Sequence, residues 1–468
     1  MTFRDLMGSG APEVEISALA YTSDSVAPGA LFFCVPGFTK DGHDFAPEAV
    51  KRGAAALVTE RSLDLGVPEV VVDDVRAAMG PAAARFHGNP TAQLDVVGIT
   101  GTNGKTTTAF LVRHLLEAAG RQAGLLGTVK RVVGGLEEDV ERTTPEAIDL
   151  QATFRRMVDS GDTAAAMEVS SHALELGRVE GIEFACRVFT NLTQDHLDFH
   201  GTMDAYFAAK LRLFEKPGPA VLNVDDEHGR RIAEGRSDAV TFGIEHDADY
   251  RARDIEFDFA GSRFTLDTPD GTVEVESPLP GLFNVLNVLG AVAAVRSLGV
   301  ADISLEGFER VPGRFEPVDE GQDFGVLVDY AHTPDSLENV LRTARELTSG
   351  RLHVVFGAGG DRDPTKRPLM GEAARELADR VLVTSDNPRS ERPDAIIDQV
   401  MEGAGPDAER DADRRRAIGR AIADAEPGDV VVIAGKGHEQ GQEFEHGRKE
   451  PFDDITVARE ALRARVAT

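Results

Sequence analysis

Cysteine, lysine and long apolar runs are scarce in this chain. The only two cysteines, Cys34 and Cys186, form no metal-ligand or disulfide pattern, which fits a reducing, cytoplasmic setting. No apolar run is long enough to span a bilayer, and Met1 to Glu15 lacks the apolar core of a signal peptide. Positive charge is short as well: 50 basic against 80 acidic residues leave a formal charge of -30. That balance argues against non-specific binding to nucleic acid or to an anionic lipid surface. Most of the basic residues are arginines, so Lys105, Lys210 and Lys436, each inside a motif, stand out. The rest of the composition, 41% hydrophobic and 28% charged, is that of a globular protein, and 468 residues allow about three domains of roughly 150 residues each.

The stretch from Leu94 to Thr108 organises the chain. A strand-like run to Ile99 enters a turn containing Gly101, Thr102, Asn103 and Gly104, and Lys105-Thr106-Thr107-Thr108 lead into an amphipathic run from Ala109 to Ala119. Strand, glycine turn and helix form a phosphate loop: backbone N–H groups and the helix dipole face an anion, the lysine reaches outer phosphates, and the Thr106 hydroxyl suits Mg²⁺. The spacing is a variant, because Ile99 stands where the common G-x-x-x-x-G-K-[ST] pattern has its first glycine.

Before the loop, short strand-like runs (30–35, 55–58, 70–72) mix with helical segments, and Thr22-Ser23-Asp24-Ser25 precedes the first of them, either as turn residues or as hydroxyl ligands. Gly88-Asn89-Pro90 reads as a linker. After the loop come Thr143-Thr144-Pro145, a helix (146–159) and a strand (164–169) that carries Glu168 near its end, with Ser170, Ser171 and His172 beyond. Ligands of open α/β sheets sit at carboxyl strand ends, so Glu168 is a candidate for Mg²⁺ or a hydroxyl proton, with capping or a salt bridge as the alternative. A further strand (187–192) ends in Asp195-His196-Leu197-Asp198, a polar turn in which His196 and Asp198 are expected to face phosphates and metal. The zinc signature H-E-x-x-H is absent. Lys210 follows on a helix (205–214), several strands span 220–276, and a helix runs from about 281 to 298, with Asn284 and Asn287 read first as caps; Asn287 also suits a base edge.

Past Gly313-Arg314, strands and helices alternate to the end, which predicts a mostly parallel sheet with right-handed crossovers. Polar clusters follow four strands: Asp329 to His332, Gly359 to Arg362, Asp386-Asn387-Pro388-Arg389, and Gly435 to Glu439. Four clusters at four strand ends imply one binding face.

In order and type, these motifs resemble the Mur ligase family along nearly the whole chain, and most closely its members that use meso-diaminopimelate. The resemblance implies an α/β protein of three domains: 1–90 for the uridine substrate, 91–311 a phosphate-loop ATPase-like, mostly parallel sheet for ATP, and 312–468 a Rossmann-like domain for the amino acid. It implies a cytoplasmic, monomeric ligase with no nucleic-acid or membrane partner, using ATP and Mg²⁺ to join meso-diaminopimelate to UDP-N-acetylmuramoyl-L-alanyl-D-glutamate through an acyl phosphate. Lys105, Glu168, His196 and Lys210 would be catalytic. Thr106, Glu168, His196 and a carbamylated Lys210 would adjoin the metal. Gly101 to Thr107, Asn287, Arg314 and Asp329 would serve ATP. Ser25, Thr143, Thr144, Ser170 and Arg178 would contact the muramoyl-peptide substrate, and Arg362, Asp386, Asn387, Pro388, Arg389, Gly435 and Glu439 the diaminopimelate. The planar fork of Arg389 suits a distal carboxylate. Arg142 stands where the family often has Asn, Leu176 where a substrate-binding Gln is common, and Ser23-Asp24-Ser25 replaces Asp-Ser-Arg. The alternatives are a relative that adds lysine or another amino acid, or a phosphate-loop ATPase with a regulatory role; the four strand-end clusters speak against the latter.

Overall fold

A computed structural model describes residues 1–37, 40–140 and 142–466. Three sheets follow one another along the chain. The first has four parallel strands in sequence order, Ala18–Ala20, Ala30–Phe33, Ala56–Thr59 and Glu69–Val71. The strand Ala18–Ala20 lies before the Thr22–Ser25 turn, so that turn does not precede the first strand as its sequence implies. Three small or apolar residues carry too little alternation to reveal an edge strand, and only pairing with Ala30–Phe32 defines it.

The second sheet has eleven strands, and the strand before the phosphate loop, Asp95–Thr100, lies in its interior, next to the middle one. Its parallel neighbours are Ala164–Glu168 and Phe184–Phe189. Both faces of this strand are buried. Val97 and Ile99 pack with the helices Lys105–Ala118 and Leu282–Ser297, whereas Val96 packs on the other face with Leu150 and Phe154 of the helix Ala147–Asp159. The alternation follows from the two-residue repeat of a strand, and burial on both sides explains the continuous apolar run. The helix Leu282–Ser297 is apolar nearly all round because it is enclosed between sheet and neighbouring helix. Its cap is Gly281, at φ 95°, not Asn284; the Asn284 amide instead donates to the Pro280 carbonyl at 2.9 Å, and Asn287 lies a turn further on. The helix after the phosphate loop begins at Lys105, a turn earlier than its apolar pattern indicates. Antiparallel strands extend this sheet at both edges.

The third sheet runs Glu316–Pro317, Gly325–Asp329, Val430–Ala434, Leu352–Phe356, Arg380–Thr384 and Glu409–Asp411, parallel except for the first strand. The strands that carry the four polar clusters are therefore adjacent, and their carboxyl ends share one edge. A hairpin, Gly441–Glu443 with Lys449–Pro451, lies beside that edge. Among the described residues no helix is long and apolar enough to cross a membrane.

The third domain is tied together by a fully buried ion pair. Arg414 donates from Nε and Nη2 to the Asp454 carboxylate at 2.8 and 2.6 Å, and also from Nη2 to the Ala434 carbonyl at 2.9 Å. Removing one partner leaves the other charged and without water. Asp454→Ala is expected to destabilise the protein by about 3–5 kcal/mol, read as a lower denaturant midpoint; a midpoint within error of the wild type would contradict the expectation.

Candidate active site

The phosphate loop is built by close approaches that only glycine permits. A Cβ on Gly101 would fall 1.8 Å from Thr190 Oγ1, and one on Gly104, at φ 84°, would fall 2.3 Å from Asn287 Oδ1. Asn191 fastens the loop, accepting through Oδ1 from the Asn103 N–H at 2.8 Å and through its carbonyl from the Thr102 N–H at 2.9 Å. The loop faces a cleft of about 660 Å³, lined also by Thr106, Thr107, Asn287, Arg314 and Asp329. Lys105 donates to the carbonyls of Gly101 and Thr102 at 2.9 and 2.7 Å. The surrounding protein lowers its pKa, opposed by Glu168 and Asp195 and reinforced by Arg314.

Lys210 comes from the helix Met203–Leu211, is buried, and donates to the same Gly101 carbonyl at 2.7 Å. Burial pushes its amine well below the ordinary lysine range, and Lys105 adds to the shift. His196 lines the cleft at φ 55°, a left-handed turn that reverses the chain. That turn leaves Asp198 exposed and outside the cleft, against expectation, and places Asp195 there instead. Burial drives the His196 imidazole down to about 3 despite Asp195. Burial alone would raise the Asp195 carboxyl, but its cationic neighbours outweigh it and hold it well below the usual range. With the imidazole neutral, Lys366 is the full positive charge beside it, 3.5 Å away.

Glu168 gathers the hydroxyls beside the loop. It accepts from Thr106 Oγ1 at 3.0 Å, Thr128 Oγ1 at 3.1 Å and the Thr128 N–H at 2.7 Å, and Thr143 Oγ1 is 3.0 Å from that of Thr128. This is an oxygen-rich set, the chemistry that suits a hard divalent cation completed by phosphate oxygens and water. Among the described residues no group of three His, Cys, Asp or Glu is placed to hold a metal, so protein carboxylates and imidazoles alone would not do it. Thr144 supports the same strand end, donating to the Glu168 carbonyl at 2.9 Å and accepting from the Ser170 N–H at 3.1 Å. Arg178 donates to the Thr144 carbonyl at 3.2 Å, and its Nε lies 3.0 Å from Glu146, which also pairs with Arg76 of the first domain at 2.9 Å. Ser25 is remote from this cleft, exposed in a turn where it bonds Thr22.

The third domain closes over the loop. Arg314 donates to Thr106 Oγ1 at 3.2 Å, and Asp335 accepts from Asn103 Nδ2 at 2.7 Å and Thr193 Oγ1 at 3.3 Å. Asp329 points its carboxylate at the Phe315 and Ala331 N–H groups, 2.6 and 2.7 Å away, and burial raises its pKa. On the shared strand edge, Lys436 is wholly buried and donates to Asn387 Oδ1 at 2.8 Å and Glu439 Oε2 at 3.0 Å, while Asn387 Nδ2 donates to the same Glu439 oxygen at 2.7 Å. Asp386 lies 3.5 Å from Lys436; burial opposes its ionisation, but Lys436 and Arg414 outweigh it and lower its pKa. Gly435, at φ 118°, and Pro388 complete this edge. Arg389 donates from Nη1 to the Gly360 carbonyl at 2.7 Å, and exposed Arg362 donates to the Asp361 carbonyl at 2.9 Å.

The structure thus brings the loop, Asn287, Thr143, Glu168, Ser170, His196, Lys210, Arg314 and Asp329 to one cleft, and Asp386 to Arg389, Gly435 and Glu439 to a second cluster on the domain above it. Sequence reading assigned no role to Asp195, His332, Asp335 or Lys366. Asp195 and His332 were inside recognised motifs, whereas Asp335 and Lys366 sit in first helical turns and are picked out only by the domain contact.

Family models match in three consecutive blocks: the Mur ligase family catalytic domain over residues 15–87, the Mur ligase middle domain over 99–295, and the Mur ligase glutamate ligase domain over 313–437. The chain belongs to the Mur ligase family. It is similar to proteins named UDP-N-acetylmuramoyl-L-alanyl-D-glutamate–2,6-diaminopimelate ligase from Bacillus licheniformis, with 48% identity over 97% of this chain and 96% of the relative, and from Streptomyces coelicolor, with 47% identity over 98% and 95%. A solved structure of a ligase of that name is 35% identical over the whole of both chains, with a TM-score of 0.70.

Two imidazoles of the closed interface are neutral. His332 and His438 are both pushed down to about 4, mainly by burial, with Lys366 and Arg314 the next contributors, respectively. An unfolded histidine titrates near 6.5, so below that pH the unfolded chain binds protons that the folded one refuses. Stability should therefore fall as pH drops from 6.5 to 5, by up to about 1.4 kcal/mol per pH unit for each imidazole. His438→Gln should flatten this slope in denaturant titrations; an unchanged slope would count against a neutral His438.

Proposed function

We propose that this ligase uses ATP to join meso-diaminopimelate to the side-chain carboxylate of D-glutamate in UDP-N-acetylmuramoyl-L-alanyl-D-glutamate. The observation that carries the reading is the convergence, on one cleft, of a phosphate loop and a hydroxyl-rich edge, beneath a third domain whose strand ends carry an arginine suited to a carboxylate. The names of the relatives point the same way.

A free carboxylate is a poor acyl donor. Transfer of the terminal phosphoryl group to it gives an acyl phosphate, and the diaminopimelate amine then attacks the carbonyl carbon. The tetrahedral intermediate collapses to amide and inorganic phosphate. The loop N–H groups, Lys105 and Arg314 would hold the phosphates and offset charge that develops during transfer, by position and electrostatics. Asn287 and Asp329 would lie along the rest of the nucleotide. Thr143, Thr144, Ser170 and Arg178 would orient the dipeptide, and Ser25 would serve the uridine end. Mg²⁺, beside Thr106, Glu168 and His196, would supply further charge neutralisation. Asp386, Asn387 and Glu439 suit the ammonium of the amino acid and Arg389 its distal carboxylate. The closed contacts of Asp335 and Lys366 would keep water from the acyl phosphate.

Lys210 would act as a carbamate. Only a neutral amine adds carbon dioxide, losing a proton as the C–N bond forms, and burial beside Lys105 favours the neutral form of Lys210. The product replaces that amine with an anion whose oxygens suit Mg²⁺.

Phosphate release should require ATP, the UDP-linked dipeptide and diaminopimelate together, and Lys105→Ala should abolish it while the circular dichroism spectrum is retained. Equal release without the dipeptide would favour a regulatory ATPase. Lys210→Ala should lose most activity and recover part of it in acetate, which can occupy the space of the missing carbamate. Full activity of that variant without acetate would remove the lysine from the mechanism.

A further inference from the structure

One carboxylate at the third-domain edge lies outside the four strand-end motifs. Glu443 ends the hairpin strand Gly441–Glu443. Its N–H donates to Asn387 Oδ1 and its carbonyl accepts from the Arg389 N–H, both at 3.0 Å. Its side chain accepts from Arg389 Nε at 3.1 Å. With Nη1 given to Gly360, the arginine fork is already partly used, and among the described residues Nη2 has no protein acceptor.

We propose that Glu443 is a built-in competitor for Arg389, a counter-ion that the distal carboxylate of the incoming amino acid must share or displace, and that it thereby sets the discrimination between diaminopimelate and lysine. The proposal rests on the acceptor site described under Proposed function. Two observations and a charge argument support it. The Arg389 side chain is 21% exposed and that of Glu443 35%, so the pair is reachable and its strength is that of a partly solvated bridge, which a ligand carboxylate can replace. The guanidinium has a second anchor, Nη1 to the Gly360 carbonyl at 2.7 Å, that does not depend on the Glu443 carboxylate. Finally, the sign of the effect differs between the two amino acids. Diaminopimelate brings a second carboxylate to one guanidinium, and the two anions repel. Lysine brings none, and Glu443 then spares Arg389 from being covered without a partner, a state that is costly for a charge. Glu443 therefore weakens the hold on diaminopimelate and softens the rejection of lysine.

Glu443→Gln keeps the shape and both backbone bonds while removing the charge. Steady-state kinetics should show the KM for diaminopimelate falling roughly twofold to fivefold, the worth of a partly exposed ion pair, with a rise of at least that size in the kcat/KM ratio over lysine. Glu443→Ala should move both quantities in the same direction. In an Arg389→Ala background the Glu443→Gln change should leave the KM unaltered, because the two act as a pair. A higher KM in Glu443→Gln would make Glu443 a strut for the arginine, and an equal KM a bystander; either result overturns the proposal. Failure of the wild-type enzyme to use diaminopimelate would instead overturn the acceptor reading, so the two are told apart by the wild-type control.

Discussion

Two lysine amines share one carbonyl oxygen, that of Gly101, and the rest of the site answers to that fact. Both amines line the cleft, and that of Lys210 is the more deeply buried. Two ammonium groups so near each other repel, and in a poorly solvated setting the repulsion is strong. Burial does most to depress the pKa of Lys210, and the repulsion from Lys105 adds to it. Anionic phosphate beside Lys105 and a carbamate on Lys210 would each relieve that repulsion. Glu168 and Asp195 flank the loop as counter-charges, and Asp195 stays ionised beside Lys366.

The contacts that finish the site come from far along the chain. Arg314, Asp335 and Lys366 reach the phosphate loop and its flanking turn from the third domain, while Arg76 and Tyr21 fasten the first domain to the helix Ala147–Asp159 and the Glu146 just before it. Glu146 sits between Arg76 and Arg178, and Arg178 holds the Thr144 carbonyl, so the edge beside Glu168 is braced from the side where the uridine substrate would enter.

What was legible in the sequence follows from the range of the interaction. The phosphate loop could be read because strand, glycines and lysine are adjacent, and the four third-domain clusters because each ends an apolar run. Two of the misreadings share a cause in backbone conformation. His196 takes a left-handed turn, which exchanges the expected Asp198 for Asp195, and Gly281, at positive φ, takes the capping place given to Asn284. Asp335, Lys366 and Glu443 were invisible for a different reason. Each is an ordinary surface residue of its own element until another element arrives against it, and no local pattern records that arrival. The family resemblance carried the candidate residues further than spacing could, though it was silent on Glu443 as well.

The place of the phosphate-loop strand in the interior of its sheet bears on how the protein is made. During synthesis the loop emerges early, yet both strands that flank it, Ala164–Glu168 and Phe184–Phe189, follow much later, and Lys210, Asn287 and Arg314 later still. Parallel pairing gains nothing until those distant segments exist. A nascent chain therefore carries the phosphate-loop residues long before it has the strands that pair beside them and the side chains that line the cleft with them.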